Sequence, residues 1–185
     1  MRPPTVTTAE QLLKLHDPPW RHELVRGELR TMSPAGHPHG DACIVLGSLL
    51  HCHARAAKIG KVYGNDTGFV LARKPDTVLA PDLAFVSKGR LPRRGSDGFY
   101  EGLPDLAVEV RSPRDSRRSI LRKAREWLEH GCRGVWIVDP KAQSVTVLKP
   151  GSDVVTLGID DTLTGDELVP GFEVSVREIF ADLEP

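Results

Sequence analysis

The chain is poor in cysteine and aromatic residues, has no long apolar run, and carries no excess of either charge; each shortage removes a class of protein. Its three cysteines, Cys43, Cys52 and Cys132, form no CxxC pair and are too few for a disulfide framework, so they read as reduced, buried thiols. Aromatic content of 5% argues against an extended platform on which bases could stack. No stretch approaches the ~18 apolar residues of a membrane span. The start MRPPTVTTAE lacks the apolar core of a signal peptide, so the expected location is the cytoplasm, with no membrane partner. With 25 Lys+Arg against 25 Asp+Glu the molecule has no bulk attraction for a polyanion, and any such binding must come from a local patch.

The 185 residues, 39% apolar and 27% charged, fit one ordinary globular domain over residues 1–185. Thr7-Thr8-Ala9-Glu10 resembles a capping box before Leu12, Leu13 and Leu15, and predicts a short opening helix. After Pro18-Pro19, HELVRGELRTM reads as a hairpin turning at Arg26-Gly27. A long helix is expected from Asp41 to Gly60, with Ile44, Leu46, Leu49 and Leu50 as its apolar stripe and Gly60 in the left-handed position after it. Strands follow at Val62-Tyr63, Gly68 to Ala72, Leu83 to Val86, Asp105 to Val110, Gly134 to Val138 and Ser144 to Leu148. A helix from Ser116 to His130 between two of them suggests a crossover joining parallel strands. The segment Leu91 to Leu103 reads as a surface loop. The fold class is therefore α/β, a mixed central sheet flanked by helices, with an N-terminal helix and hairpin.

Two segments stand out. In PDLAVEVRSP, Pro104 to Pro113, a glutamate lies at the centre of an apolar strand, and an isolated carboxylate in a core is strongly disfavoured unless it has a partner. Alternation places Ala107, Glu109 and Arg111 on one face and Leu106, Val108 and Val110 on the other. APDLAFVS, Ala80 to Ser87, repeats the Pro-Asp-Leu-Ala opening and sets Asp82 at the start of a strand. If these strands pair, Asp82 and Glu109 converge at one sheet edge, where a hard cation such as Mg2+ or Mn2+ would relieve their repulsion. The structural alternative is that Glu109 pairs with an arginine and Asp82 only begins a strand. In the following helix, Ile120, Leu121, Ala124, Trp127 and Leu128 form the apolar stripe, with Lys123 at its border. A lysine there could stabilise the charge on an attacked phosphate or act on a water, or else snorkel to the surface.

The ordered series VRGEL (Val25 to Leu29), MSPAGHPHG (Met32 to Gly40), NDTGFVL (Asn65 to Leu71), APDLAFVS, GLPDLAVEVRSP, KAREWLEHGCRGVWIVDP (Lys123 to Pro140) and LVPGFEVSVREIF (Leu168 to Phe180) resembles a bacterial family described as putative restriction endonucleases, within the PD-(D/E)XK nuclease superfamily. The resemblance implies a restriction-endonuclease-like fold and a metal-dependent endonuclease cutting phosphodiester bonds, DNA above all. It makes Asp82 and Glu109 the motif acids, adds Glu28 to the metal environment, and makes the Val110 carbonyl a further ligand. The superfamily lysine should stand two residues after the glutamate, where this chain has Arg111, which stays protonated and cannot act as a base. Lys123 matches a position to which the family moves the lysine, four residues before an aromatic that is usually tyrosine and here is Trp127.

Arg111, Arg114 and Arg118, within a basic run reaching Arg125, could contact phosphates beside this site, as His39 could contact substrate or water. Arg73, Lys74, Lys88, Arg90, Arg93 and Arg94 form a second basic group, which reads better as charged loop surface. His37, His39, Cys43, His51, Cys52 and His53 invite a zinc reading, but their spacings match no common zinc pattern. Two rivals remain: a catalytically silent nuclease-fold module binding nucleic acid or protein, and a phosphoesterase for small substrates. Cutting a duplex would suit a homodimer, whose two-fold axis matches that of DNA.

Overall fold

In the computed structural model, which describes residues 6–16, 20–64, 67–92 and 97–181, two mixed sheets are covered by helices. Pro18, Pro19, Asn65, Asp66, Arg93 and Arg94 lie outside the described residues. The chain opens with α1 (Ala9–Leu13), then β1 (Arg21–Val25), β2 (Glu28–Met32), α2 (His37–Ala57), β3 (Gly60–Tyr63), β4 (Phe69–Ala72), β5 (Thr77–Leu79) and β6 (Leu83–Ser87). It continues through β7 (Tyr100–Glu101), β8 (Leu106–Val110), α3 (Arg117–Glu129), β9 (Gly134–Asp139), β10 (Ser144–Leu148), β11 (Val155–Leu157), β12 (Thr162–Thr164), β13 (Glu173–Ser175) and α4 (Val176–Ile179).

The first sheet runs β2-β1-β5-β4-β7 and the second β11-β10-β9-β8-β6-β3, so the strands divide between two sheets where the sequence suggested one. β12 and β13 form a separate pair. β8 and β9 are parallel across α3, the crossover that the strand-helix-strand order implied. One face of the second sheet, with Leu83, Phe85, Val108 and Trp136, packs on Ala42, Leu46, Leu50 and Ala54 of α2. Its other face, with Ala84, Ala107, Val135 and Ile137, packs on Ile120, Ala124 and Trp127 of α3, and Phe69 and Leu79 of the first sheet close that layer. Glu109 belongs to this second layer, as strand alternation requires.

Several boundaries moved for physical reasons. The capping box is Thr8 with Gln11, one residue later than read, because the Gln11 side chain reaches back to the cap amide. α2 begins at His37, four residues early, with Gly36 at its cap and Pro38 in its first turn. The stripe that packs on the sheet is Ala42, Leu46, Leu50 and Ala54, spaced four apart on one face, which leaves Ile44 67% exposed. Lys58, at φ 54, takes the left-handed position that was assigned to Gly60. Gly60 serves β3 instead, because a Cβ there would collide with the Val86 carbonyl and the Phe85 ring. The loop from Leu91 to Leu103 contains the two-residue β7.

Candidate active site

The site is built where the hairpin, β6, β8, the first turn of α2 and the middle of α3 meet. Antiparallel register pairs Arg21 with Met32, Glu23 with Arg30 and Val25 with Glu28, so all six share one hairpin face. That face lies toward α3, since Glu23 meets Lys123 and Arg30 meets Glu126. β1 is an inner strand and β2 the sheet edge, which buries Glu23 while leaving Glu28 exposed.

Asp82 immediately precedes β6, and the register Leu83 to Val108 carries it to the end of β8. Its Oδ2 accepts the Val110 amide at 2.7 Å and lies 3.2 Å from His39 Nε2, while Arg21 approaches Oδ1 at 3.7 Å. The other ring nitrogen of His39 is 3.5 Å from Cys43 Sγ, one helical turn along. Glu109 accepts from Trp127 Nε1 at 2.7 Å and pairs with Lys123 at 3.0 Å. Lys123 also reaches Glu23 at 2.9 Å, and Glu23 is held by the Ala80 amide at 3.1 Å. The i, i+4 spacing of Lys123 and Trp127 thus delivers two donors to one carboxylate. Asp82, Glu109, Lys123, His39, Arg21 and Arg114 all line one open cavity of about 560 Å3.

The electrostatics follow from three buried carboxylates around one ammonium. Burial pushes Glu109 up to about 8, with Asp82 and Glu23 adding repulsion and Lys123 and the Trp127 bond opposing it. Burial would raise Asp82 too, but the hydrogen bond and charge of His39, the charge of Lys123 and the Val110 amide outweigh it and hold that carboxyl low. For Lys123 burial favours the neutral form, and Glu109, Glu23 and Asp82 reverse this and keep it cationic. Removing Lys123 from this group costs about 3–5 kcal/mol, because the buried acids are left without their counter-charge.

The cavity brings together Asp82, Glu109, Val110, Lys123, His39 and Arg114 of the residues singled out in the sequence. Glu28 is not among them. It flanks the hairpin turn opposite Val25, on the edge strand, and lines a separate groove; the acid that meets Lys123 is Glu23, two residues farther from the turn on β1. Arg111 is committed to Asp139 at 2.6 Å and to the Asp115 carbonyl, and borders a neighbouring cavity. Arg114 donates to Ser33 at 2.7 Å at the rim of this cavity. Arg118 is exposed beside the same groove as Glu28. In the second basic group Arg73 joins Glu10, Asp76 and Glu101, and Arg90 pairs with Asp105, so both are structural. Sequence reading missed Glu23 and Cys43 as neighbours of the site; the signal for Glu23 was the need of a buried Lys123 for a second carboxylate.

The donor set fits a divalent cation. Asp82 is ionised and faces the cavity, Glu109 retains lone pairs beyond those used by Trp127 and Lys123, and His39 adds a ring nitrogen. His39, Cys43 and Asp82 place three possible ligand atoms within 4.8 Å of one another. Burial and the Asp82 charge push the Cys43 thiol far up, so in the metal-free protein it is a neutral thiol. Of the remaining zinc candidates, His53 bonds the Pro170 carbonyl, and His51 and Cys52 are exposed.

Comparison with known proteins agrees with this architecture. Residues 9–177 match the model of the Uma2 family, described as putative restriction endonuclease. No curated protein matches the sequence. The fold is similar to the crystal structure of a putative nuclease belonging to DUF820 from Anabaena variabilis ATCC 29413, with a TM-score of 0.80 at 21% identity, over 96% of this chain and 99% of that one. Among the described residues no helix is long and apolar enough to cross a membrane.

Proposed function

The chain belongs to the Uma2 putative restriction endonuclease family, and from that premise we propose that it hydrolyses phosphodiester bonds in DNA with Mg2+ or Mn2+ as cofactor. The observation that carries this reading is the meeting of Asp82, Glu109 and Lys123 in one open cavity. Asp82, Glu109 and the Val110 carbonyl would hold the ion. When bound, it supplies charge to polarise the phosphate and to acidify a water.

The side chains divide the remaining work. Lys123, kept cationic by its three acidic neighbours, stabilises negative charge on the attacked phosphate and orients water, and its raised pKa makes it a poor base. Glu23 fixes the ammonium together with Glu109. Trp127 locks the Glu109 carboxylate by its indole N–H, and His39 orients Asp82 toward the cavity. Arg114 at the rim contacts an adjacent phosphate. Cutting both strands of a duplex would use two copies of the chain about a two-fold axis.

Supercoiled plasmid, linear duplex and single-stranded DNA incubated with the protein in EDTA, Mg2+ or Mn2+ test the reading, with Glu109→Ala alongside. Cleavage that requires metal and vanishes in the variant is expected. A folded protein that binds Mn2+ but cuts none of these, or a variant that cuts at the wild-type rate, would overturn the proposal and favour a silent binding module.

A further inference from the structure

The hairpin and α3 enclose a second groove of about 660 Å3 lined by five arginines and three glutamates. Arg26 stands at the hairpin turn, Arg30 on β2, and Arg118, Arg122 and Arg125 on α3. Arg30 is committed to Glu126 at 3.1 Å, which leaves four arginines facing Glu28 and Glu129. Among the described residues, the guanidiniums of Arg26, Arg118, Arg122 and Arg125 form no ion pair or hydrogen bond. Arg122 lies one helical turn from both Arg118 and Arg125, where like charges repel. Arg26 occupies φ 50 before Gly27 at φ 77, a turn in which Asn-Gly is the ordinary choice and arginine is disfavoured. Repulsion and a strained turn are kept here without any intramolecular pairing in return.

The groove and the proposed catalytic cavity lie along one hairpin face. Arg21 and Met32 line the cavity, the Glu23–Lys123 and Arg30–Glu126 pairs follow, and Val25 and Glu28 line the groove. From Arg21 to Val25 is about 13 Å at 3.3 Å per strand residue. A DNA strand carries one phosphate per about 3.4 Å of duplex axis, so the groove lies within about four phosphates of the cavity. We infer that this arginine groove holds the backbone of a nucleic-acid strand on one side of the phosphate to be cleaved. The inference rests on the nuclease reading. Guanidinium forks bind phosphate without reading bases, so this contact fixes the register of the strand and leaves sequence unread.

The test measures binding of a fluorescent 20-base-pair duplex in EDTA across a salt series. Arg26→Gln/Arg122→Gln/Arg125→Gln should raise Kd at least about tenfold near 0.1 M salt and make the slope of log K against log salt shallower by about 2.7, at ~0.9 for each lost phosphate contact. Arg55→Gln/Lys58→Gln/Lys61→Gln, at the far end of α2, removes the same charge and should leave affinity unchanged. Melting temperatures check that both variants fold, and Arg122→Gln alone should show about a third of the slope change if the triple variant does not. Unchanged affinity in the groove variant, or equal loss in both triple variants, overturns the inference. Wild-type protein that binds through the groove yet cuts nothing in Mn2+ sinks the nuclease reading and spares the groove; cleavage with a groove variant that binds like wild type does the reverse.

Discussion

The tetrapeptide Pro-Asp-Leu-Ala occurs twice, at Pro81 and at Pro104, and the two copies have different fates. They lie on neighbouring antiparallel strands, so their aspartates sit at opposite ends of the β6–β8 pair. The local geometry is nearly two-fold symmetric: Asp82 accepts the Val110 amide at 2.7 Å, and Asp105 accepts the Ser87 amide at 2.7 Å. Beyond that bond they diverge. Asp105 is fully buried, with Oδ1 shared by Arg90 at 2.9 Å and Arg133 at 3.2 Å. Asp82 has His39 beside it and opens onto the cavity. The same four letters build a structural clasp at one end of the sheet and a candidate metal ligand at the other, and the partners at each end, Arg90 and Arg133 against His39 of α2, decide between them.

The largest effect that can break this comparison comes from truncating each aspartate. Asp82→Ala should lower metal-dependent cleavage by more than about a hundredfold, since even residues supporting a metal ligand commonly cost 10- to 100-fold. Its melting temperature should move little, because water from the cavity can satisfy the freed Val110 amide. Asp105→Ala should do the opposite. Arg90 and Arg133 are part-exposed and rehydrate, so the loss is nearer the about 2 kcal/mol of an orphaned buried amide than that of a broken buried ion pair. For a chain of this size that lowers the melting temperature by about 5 °C, with cleavage at permissive temperature retained. If both variants lose the same property, the two ends of the sheet are not distinct in the way described.

A middle-sized effect contrasts the two hairpin acids. Glu23→Gln removes one of the two carboxylates holding Lys123 and should lower cleavage at least about tenfold. Glu28→Gln removes a negative charge from the arginine groove and should tighten duplex binding about twofold. A loss of metal-dependent cleavage in Glu28→Gln, with Glu23→Gln unaffected, would return Glu28 to the metal environment.

The last contrast is in the pH dependence of stability. Asp105 is held low: burial opposes this, but the Ser87 amide and Arg90 prevail. Its contribution is therefore present above the ordinary aspartate range and is lost as pH falls through the depressed folded value. Glu109 has the reverse sign. An unfolded glutamate ionises near 4.5 while the folded one holds its proton to about 8, so in EDTA stability declines as pH rises between those values. Melting curves at pH 5 and pH 8 should show this decline in the wild type and a flatter profile in Glu109→Gln; identical slopes would remove the assigned titration.

Much of this architecture was legible in the sequence. The hairpin at Arg26-Gly27, the β8-α3-β9 crossover and the layering of Glu109 with Ala107 follow from turn chemistry and period alone. The division into two sheets was not, because β5 and β7, three and two residues long, carry too little pattern to register as strands, and they supply the first sheet's middle and edge. At the site, Glu23 and Glu28 occupy the same face of the same hairpin, and only the inner or outer place of their strands separates a buried acid from an exposed one. That place depends on β5, which pairs with β1 from fifty residues away and lies beyond local pattern.

The bond from Trp127 to Glu109 gives the cavity an optical and magnetic signature. Its indole N–H ends on the carboxylate whose charge the cation would change, inside a chain with three tryptophans. One indole resonance, removable by Trp127→Phe, should therefore follow protonation and metal occupancy of the site directly, with no nucleic acid present.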